Sequence, residues 1–223
     1  PFSFGCHPDV ACFTRCCHEL ELAVSPYDVL RIRQATGLSS ADVLARYVII
    51  EQETDDIFPR MYLTMVDDGA ASCVFLGKNG CLIYHHRPGA CRMYPLGRAT
   101  VKNGTEIDEH FVLLHEPHCL GFHQQQITTA AGYLQSQELA PYNRFNDRLA
   151  EITQHDRIKQ GLRLSDNQCR AFILALFDLD SFRSGLLAGE IAGEPIGETS
   201  LLHDDEALLD YGLRWLARLL FDC

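Results

Sequence analysis

CVFLGKNGCLIYHHRPGACRMYP, residues 73–95, decides how this chain is read. Short apolar runs rich in Val, Ile, Phe and Tyr are broken by Gly and Asn, a texture that suits brief strands joined by tight turns. Three cysteines punctuate the stretch, Cys73, Cys81 and Cys91, with seven and nine residues between them. Zinc knuckles usually bring their cysteines in C-x2-4-C pairs. The wider spacing here predicts that each cysteine occupies its own turn or strand end. The pieces "MYLTMV", "SCVFL", "GCLIY" and "GRATV", between Arg60 and Val101, share the texture.

Either side of this region the pattern is helical. In "SPYDVLRIRQATG" Ser25 is placed to cap a helix, Pro26 suits its first position, and Gly37 suits its end. "SSADVLARYVIIEQ" predicts a second helix capped by Ser39 or Ser40, with Val43, Leu44, Tyr47 and Val48 on one face. Beyond about residue 126, helices are expected over "TTAAGYLQSQEL" and over "PYNRFNDRLAEITQHDRIKQG". "SDNQCRAFILALFDLDSFRSGLLAG" and "HDDEALLDYGLRWLARLLF" predict one helix each, joined by a loop at residues 189–200. The expected fold is mostly α with a small irregular β and loop region that binds metal, an α+β arrangement. Residues 1–124 form the cysteine region and residues 125–223 a helical region packed on it as one globular unit.

Composition narrows the function. A net charge of −11 with only three lysines argues against a nucleic-acid partner, which needs a basic face. No apolar run is long enough for a membrane span. The chain opens on Pro1, which points to trimming or processing ahead of it, and no signal segment is visible. There is no P-loop, no G-x-S-x-G elbow and no H-E-x-x-H helix.

Ten cysteines in 223 residues is a high count, and eight fall before residue 120: Cys6, Cys12, Cys16, Cys17, Cys73, Cys81, Cys91 and Cys119. A chain of this length can bury a core without disulfide staples, so clustered cysteines point to metal and to a cytoplasmic setting. Thiolates suit both zinc and iron–sulfur clusters, typically four per site. In "CFTRCC", residues 12–17, a helical conformation would align Cys12 with Cys16, and an extended one would send Cys16 and Cys17 to opposite sides. Neither lets the adjacent pair converge readily on one ion. Two nearby sites or a multinuclear cluster fit better, which favours iron, with Zn²⁺ as the alternative.

Four thiolates on one divalent ion leave a net negative charge. Arg87 and Arg92 flank Cys91 and are expected to offset it and to donate to sulfur. Among histidines near the cysteines, His85, His86, His115 and His123 read as ordinary polar residues, and His118 is the first to test as a ligand. Cys169 lies in an apolar helix pattern as a small buried hydrophobe, and terminal Cys223 reads as incidental. "HDDE", residues 203–206, supplies negative charge to a helix N-terminus.

The set "CFTRCC", "CVFLGKNGCLIY", "HRPGACRMYP" and "HCLGF" resembles the YkgJ-type cysteine-cluster family of zinc- or iron-chelating domains. The similarity covers roughly residues 2–123. It implies Cys6, Cys12, Cys16, Cys17, Cys73, Cys81, Cys91 and Cys119 as metal ligands. The spacing departs from the compact C-x-x-C-x-x-C-C form, with five residues after Cys6 and three after Cys12. The family's cysteine region is similar to that of flagellin lysine methylases, which implies a protein substrate as one option. The expectation is therefore a cysteine-rich metal-binding protein in redox or metal-handling work. The alternatives are a methylase-like metalloenzyme with a protein or small-molecule substrate, or a zinc-stapled module that binds a protein partner.

Overall fold

A computed structural model describes residues 1–104, 106–191 and 203–221. Residues 192–200 of the expected loop, and Cys223, lie outside them. The fold is α+β and mostly helical, with five two-stranded antiparallel pairs among the described residues.

Strand β1 (Phe2–Ser3) opens the chain. Helix α1 (Pro26–Thr36) begins at Ser25, whose hydroxyl accepts the Asp28 N–H while the Asp28 carboxylate accepts the Ser25 N–H. This reciprocal box satisfies two end donors, and Gly37 stops the helix at φ 67°. Tyr27, Val29, Leu30 and Ile32 are almost wholly buried, so α1 lies at the centre of the core. Helix α2 (Ser40–Tyr47) is capped by Ser39. It ends earlier than its sequence predicts, because Val48–Glu51 forms strand β2 and pairs with β3 (Arg60–Leu63). Three β-branched or apolar residues in a row, Val48, Ile49 and Ile50, suit a strand better than a helix.

The short hairpins foreseen around the middle cysteines are present. Strand β4 (Met65–Val66) pairs with β5 (Ser72–Cys73), and β6 (Leu76–Gly77) with β7 (Gly80–Cys81). Helix α3 (Gly89–Met93) carries Cys91. A longer hairpin follows, β8 (Leu96–Asn103) with β9 (Glu106–Leu113). Strand β10 (Ile127–Thr128) returns to pair with β1, closing the cysteine region on itself.

Helices α4 (Ala130–Ser136) and α5 (Ala140–Thr153) come next. The single helix expected over residues 141–161 breaks at His155, whose extended backbone caps a separate turn, α6 (Asp156–Lys159). The helix expected over residues 165–189 is likewise two, α7 (Asp166–Leu176) and α8 (Leu179–Ala188). Asp178 makes that break: its carboxylate accepts from Ser181 N–H and from the Ser40 hydroxyl at 2.7 Å. Helix α9 (Asp205–Phe221) completes the described chain.

One continuous apolar cluster joins α1 and α2 to α5, α7, α8 and α9. At its edge Arg33 meets Asp180 and Asp205 at 2.8 and 2.6 Å, and Arg183 meets the same two acids at 3.0 and 2.6 Å. Both acids sit in the first turn of a helix, where the dipole favours them. "HDDE" therefore acts as expected at a helix start.

The α7–α9 crossing depends on Gly212, where a Cβ would stand 2.3 Å from the Ala175 carbonyl oxygen. Gly212→Ala must push two backbones apart, which outweighs the roughly 1 kcal/mol of helix propensity gained. A net loss of about 2 kcal/mol is expected, read as a lower urea midpoint. An unchanged midpoint would mean that the crossing is looser than described.

Candidate metal centre

Cys6 follows β1, which is pinned across the site. Phe4 N–H donates to the Gln126 carbonyl and Gly5 N–H to the Gly121 carbonyl, each at 3.0 Å. The buried Phe4 ring meets Tyr94, Phe122 and Tyr133 edge-on, with centroids 5.9, 5.2 and 6.0 Å away. Gly121 leaves room for that ring, since a Cβ there would lie 2.5 Å from it. The loops of Cys6 and Cys119 are thereby held together. Leu120 N–H, next along from Cys119, donates to the Cys12 sulfur at 3.2 Å.

"CFTRCC" is neither the helix nor the strand considered above. Thr14 adopts a left-handed backbone, φ 66°, and Arg15–Cys17 closes as a 3₁₀ turn. The adjacent Cys16 and Cys17 thiols act on each other directly. Beyond them His18 bridges Ser72, with His18 Nδ1 3.0 Å from Ser72 Oγ, which sets the pair beside Cys73. At Cys73 and Cys81 burial opposes the thiolate, and the backbone N–H groups of Phe75 and Ile83, two residues on, act in its favour. Cys91 is positioned by α3, whose first N–H, on Gly89, donates to the buried Asp28 carboxylate at 2.7 Å.

The thiols feel one another. Cys6 is pushed up to about 11, first by burial and then by Cys16, Cys12 and Cys119, against the pull of Arg87. Cys91 is pushed up to about 12, first by burial and then by Cys73, Asp28, Cys16 and Cys81. Burial also raises Cys73 and Cys81. Within the adjacent pair, Cys17 lowers Cys16 and Cys16 correspondingly raises Cys17. Cys16 acts electrostatically on Cys6 on one side and on Cys17, Cys73 and Cys91 on the other.

Cys6, Cys16 and Cys91 are exposed, so an incoming ion can reach them. Among the described residues, no three His, Cys, Asp or Glu side chains stand close enough to hold one ion as placed. The donor chemistry nevertheless fits a thiophilic ion or cluster. The nine described cysteines are free thiols, the Cys12 sulfur accepts an N–H bond, and a cation would relieve the mutual repulsion of the clustered thiolates.

The two arginines differ. Arg87 acts electrostatically on Cys6 and Cys81 while it stacks 3.9 Å over the Tyr84 ring and donates to Gln137 Oε1 at 2.6 Å. Arg92 is buried, and its hydrogen bonds go to the Tyr142 hydroxyl and the Gln137 and His85 carbonyls, at 3.1, 2.8 and 2.5 Å. It braces α3 against α5. The histidines engage other groups: His86 Nδ1 accepts from Arg31, His115 stacks on Phe122, and His118 lies 3.4 Å from Glu116. Cys169 is buried and apart, its sulfur accepting from Gln52 Nε2 at 3.3 Å. An open recess of about 560 Å³ between Gln52–Asp56 and Arg163–Asp166 contains none of the cysteines.

Three groups at the site escaped the sequence reading. They are Asp28, three residues into a helix, Glu116, which stands between histidines, and Tyr94, two residues from Arg92. Glu116 acts on Cys16, and it adjoins Tyr94 together with Cys119. "HEPHC" put a carboxylate three residues before Cys119, which was the available signal.

A model for the CxxCxxCC family, described as "Putative zinc- or iron-chelating domain", matches residues 5–120. Comparison with curated proteins and with solved structures returned no match. The matched span runs from just before Cys6 to just after Cys119, holds all eight clustered cysteines and covers just over half of the chain. The chain belongs to the CxxCxxCC family of zinc- or iron-chelating domains.

Proposed function

We propose that Cys6, Cys12, Cys16, Cys17, Cys73, Cys81, Cys91 and Cys119 supply the ligands of an iron–sulfur centre, and that the protein carries or delivers electrons or iron. The observation that carries this reading is that the fold draws the cysteine loops together: Gly5 N–H bonds the Gly121 carbonyl, Leu120 N–H bonds the Cys12 sulfur, and the His18–Ser72 bridge sets Cys16 and Cys17 beside Cys73. Two separate zinc sites would partition the thiols into two quartets. A polynuclear cluster tolerates shared corners and takes thiolate ligands throughout. Arg87 would offset part of the anionic charge, and the Leu120 N–H would tune the Cys12 sulfur.

A metalloenzyme is the second reading, supported by a flank of the site that is not sulfur. Glu116, His118 and Tyr94 gather near Cys119 and offer oxygen and nitrogen groups of the kind a catalytic site keeps beside an open coordination position.

Anaerobic purification followed by iron, zinc and sulfide analysis and a visible spectrum tests the assignment. A brown protein with comparable iron and acid-labile sulfide is the expected result. Colourless protein with one or two zinc ions per chain would transfer the site to zinc. Metal-free protein whose cysteines pair as disulfides would overturn the metal reading.

A further inference from the structure

Tyr94 stands out among the polar groups of the structure. Its hydroxyl is fully buried with no hydrogen-bond partner, alone in this respect among the described side chains. Buried polar groups are rarely left so, and each case needs a reason. The Tyr94 N–H donates to Ala90, its carbonyl accepts the Tyr133 hydroxyl at 2.5 Å, and its ring packs against Phe4. The polar groups beside the hydroxyl are the Cys119 thiol and the Glu116 carboxylate. Glu116 is half exposed and already faces His118 at 3.4 Å. Cys119 is half-buried and held in its turn by an N–H bond to the Glu116 carbonyl.

A neutral thiol accepts hydrogen bonds poorly, whereas a thiolate accepts them well. Metal binding converts the first into the second. A metal-bound Cys119 sulfur would give the buried phenol the acceptor it lacks. We propose that the Tyr94 hydroxyl donates its hydrogen bond to the metal-bound Cys119 sulfur, and so sets the affinity and the spectrum of the centre. This rests on Cys119 being a ligand, as proposed above. Tyr94 is a positioning and tuning residue, since it acts on the metal through Cys119.

The proposal gives opposite signs for the two states of the protein. Tyr94→Phe removes no bond from the metal-free chain, so its thermal midpoint should equal or exceed that of the wild type. In anaerobic Co²⁺ titrations the same variant should bind about 10-fold more weakly or worse, as loss of a hydrogen bond to a ligand typically does. Its thiolate-to-cobalt absorption should also move to lower energy, because the sulfur lone pairs lose a stabilising donor. Repeating the comparison in a Glu116→Gln background should leave the ratio unchanged. Equal affinity and identical bands in wild type and Tyr94→Phe would overturn the proposal while the metal site stands. A loss that disappears in the Glu116→Gln background would overturn it too, by assigning the hydroxyl to the carboxylate. A wild-type chain with no thiolate–cobalt bands would remove the metal reading itself, and the Tyr94 role with it.

Discussion

Cys16→Ser is expected to strip the protein of most of its metal. Cys16 is the thiol whose influence reaches furthest: it acts on Cys6 on one side and on Cys17, Cys73 and Cys91 on the other. Serine keeps nearly the same volume but offers a hard hydroxyl in place of a soft thiolate, so it does not replace the ligand. Removing a group that merely supports a ligand costs about 10–100-fold in metal affinity. Losing a ligand at the junction should exceed that. Cys17→Ser should lower metal content as well, because its thiol interacts with Cys16 and, electrostatically, with Cys73 and Cys91. The fold should survive, since Cys16 lies exposed on a 3₁₀ turn outside the core. Cys169→Ser is the control, because that sulfur is buried against Gln52 and apart from the other eight. Metal per chain and the visible spectrum are the readouts. Full stoichiometry with an unchanged spectrum in Cys16→Ser would end the shared-corner reading.

What could be read from the sequence had local causes. The Ser25 cap, Pro26 at the helix start and Gly37 at its end act within one turn of chain, and the structure has all three. The short hairpins at Cys73 and Cys81 were legible because Gly and Asn mark turns wherever they fall. Helix breaks were harder to see. Apolar periodicity runs straight through Phe177–Asp178, and only contact with Ser40, far away in sequence, shows that Asp178 ends one helix and caps another. The same holds for Val48–Glu51, which become a strand because Arg60–Leu63 lie alongside. At the site, cysteine is conspicuous as a residue type, so the eight thiols could be picked out at once. Tyr94, Glu116 and Asp28 are common residues, and their roles arise from what the fold places next to them. Arg92 shows the reverse. Its position beside Cys91 suggested service to sulfur, but the side chain turns inward to Tyr142 and two carbonyls.

Asp28 links the fold to the site most directly, and its replacement is expected to damage both. Oδ1 accepts the Gly89 N–H at 2.7 Å and Oδ2 accepts the Ser25 N–H at 2.7 Å, so one carboxylate caps α1 and anchors the start of α3. Burial raises its pKa, while the Gly89 and Ser25 donors and the nearby Arg92 charge pull it down. Asp28→Ala leaves the Gly89 N–H buried without an acceptor and undoes the capping box. The expected loss is about 3 kcal/mol, since each unsatisfied buried donor costs about 1–3 kcal/mol. For a chain of this length that lowers the melting temperature by roughly 6–12 °C. Asn has one acceptor oxygen where Asp has two, and its amide would face one of the two N–H groups. Asp28→Asn should therefore fall between wild type and Asp28→Ala. Because Cys91 lies two residues beyond Gly89, both variants should also bind Co²⁺ more weakly, with Ala the worse. An Asp28→Ala protein that melts with the wild type and keeps its full metal load would show that α3 is held in place by other contacts.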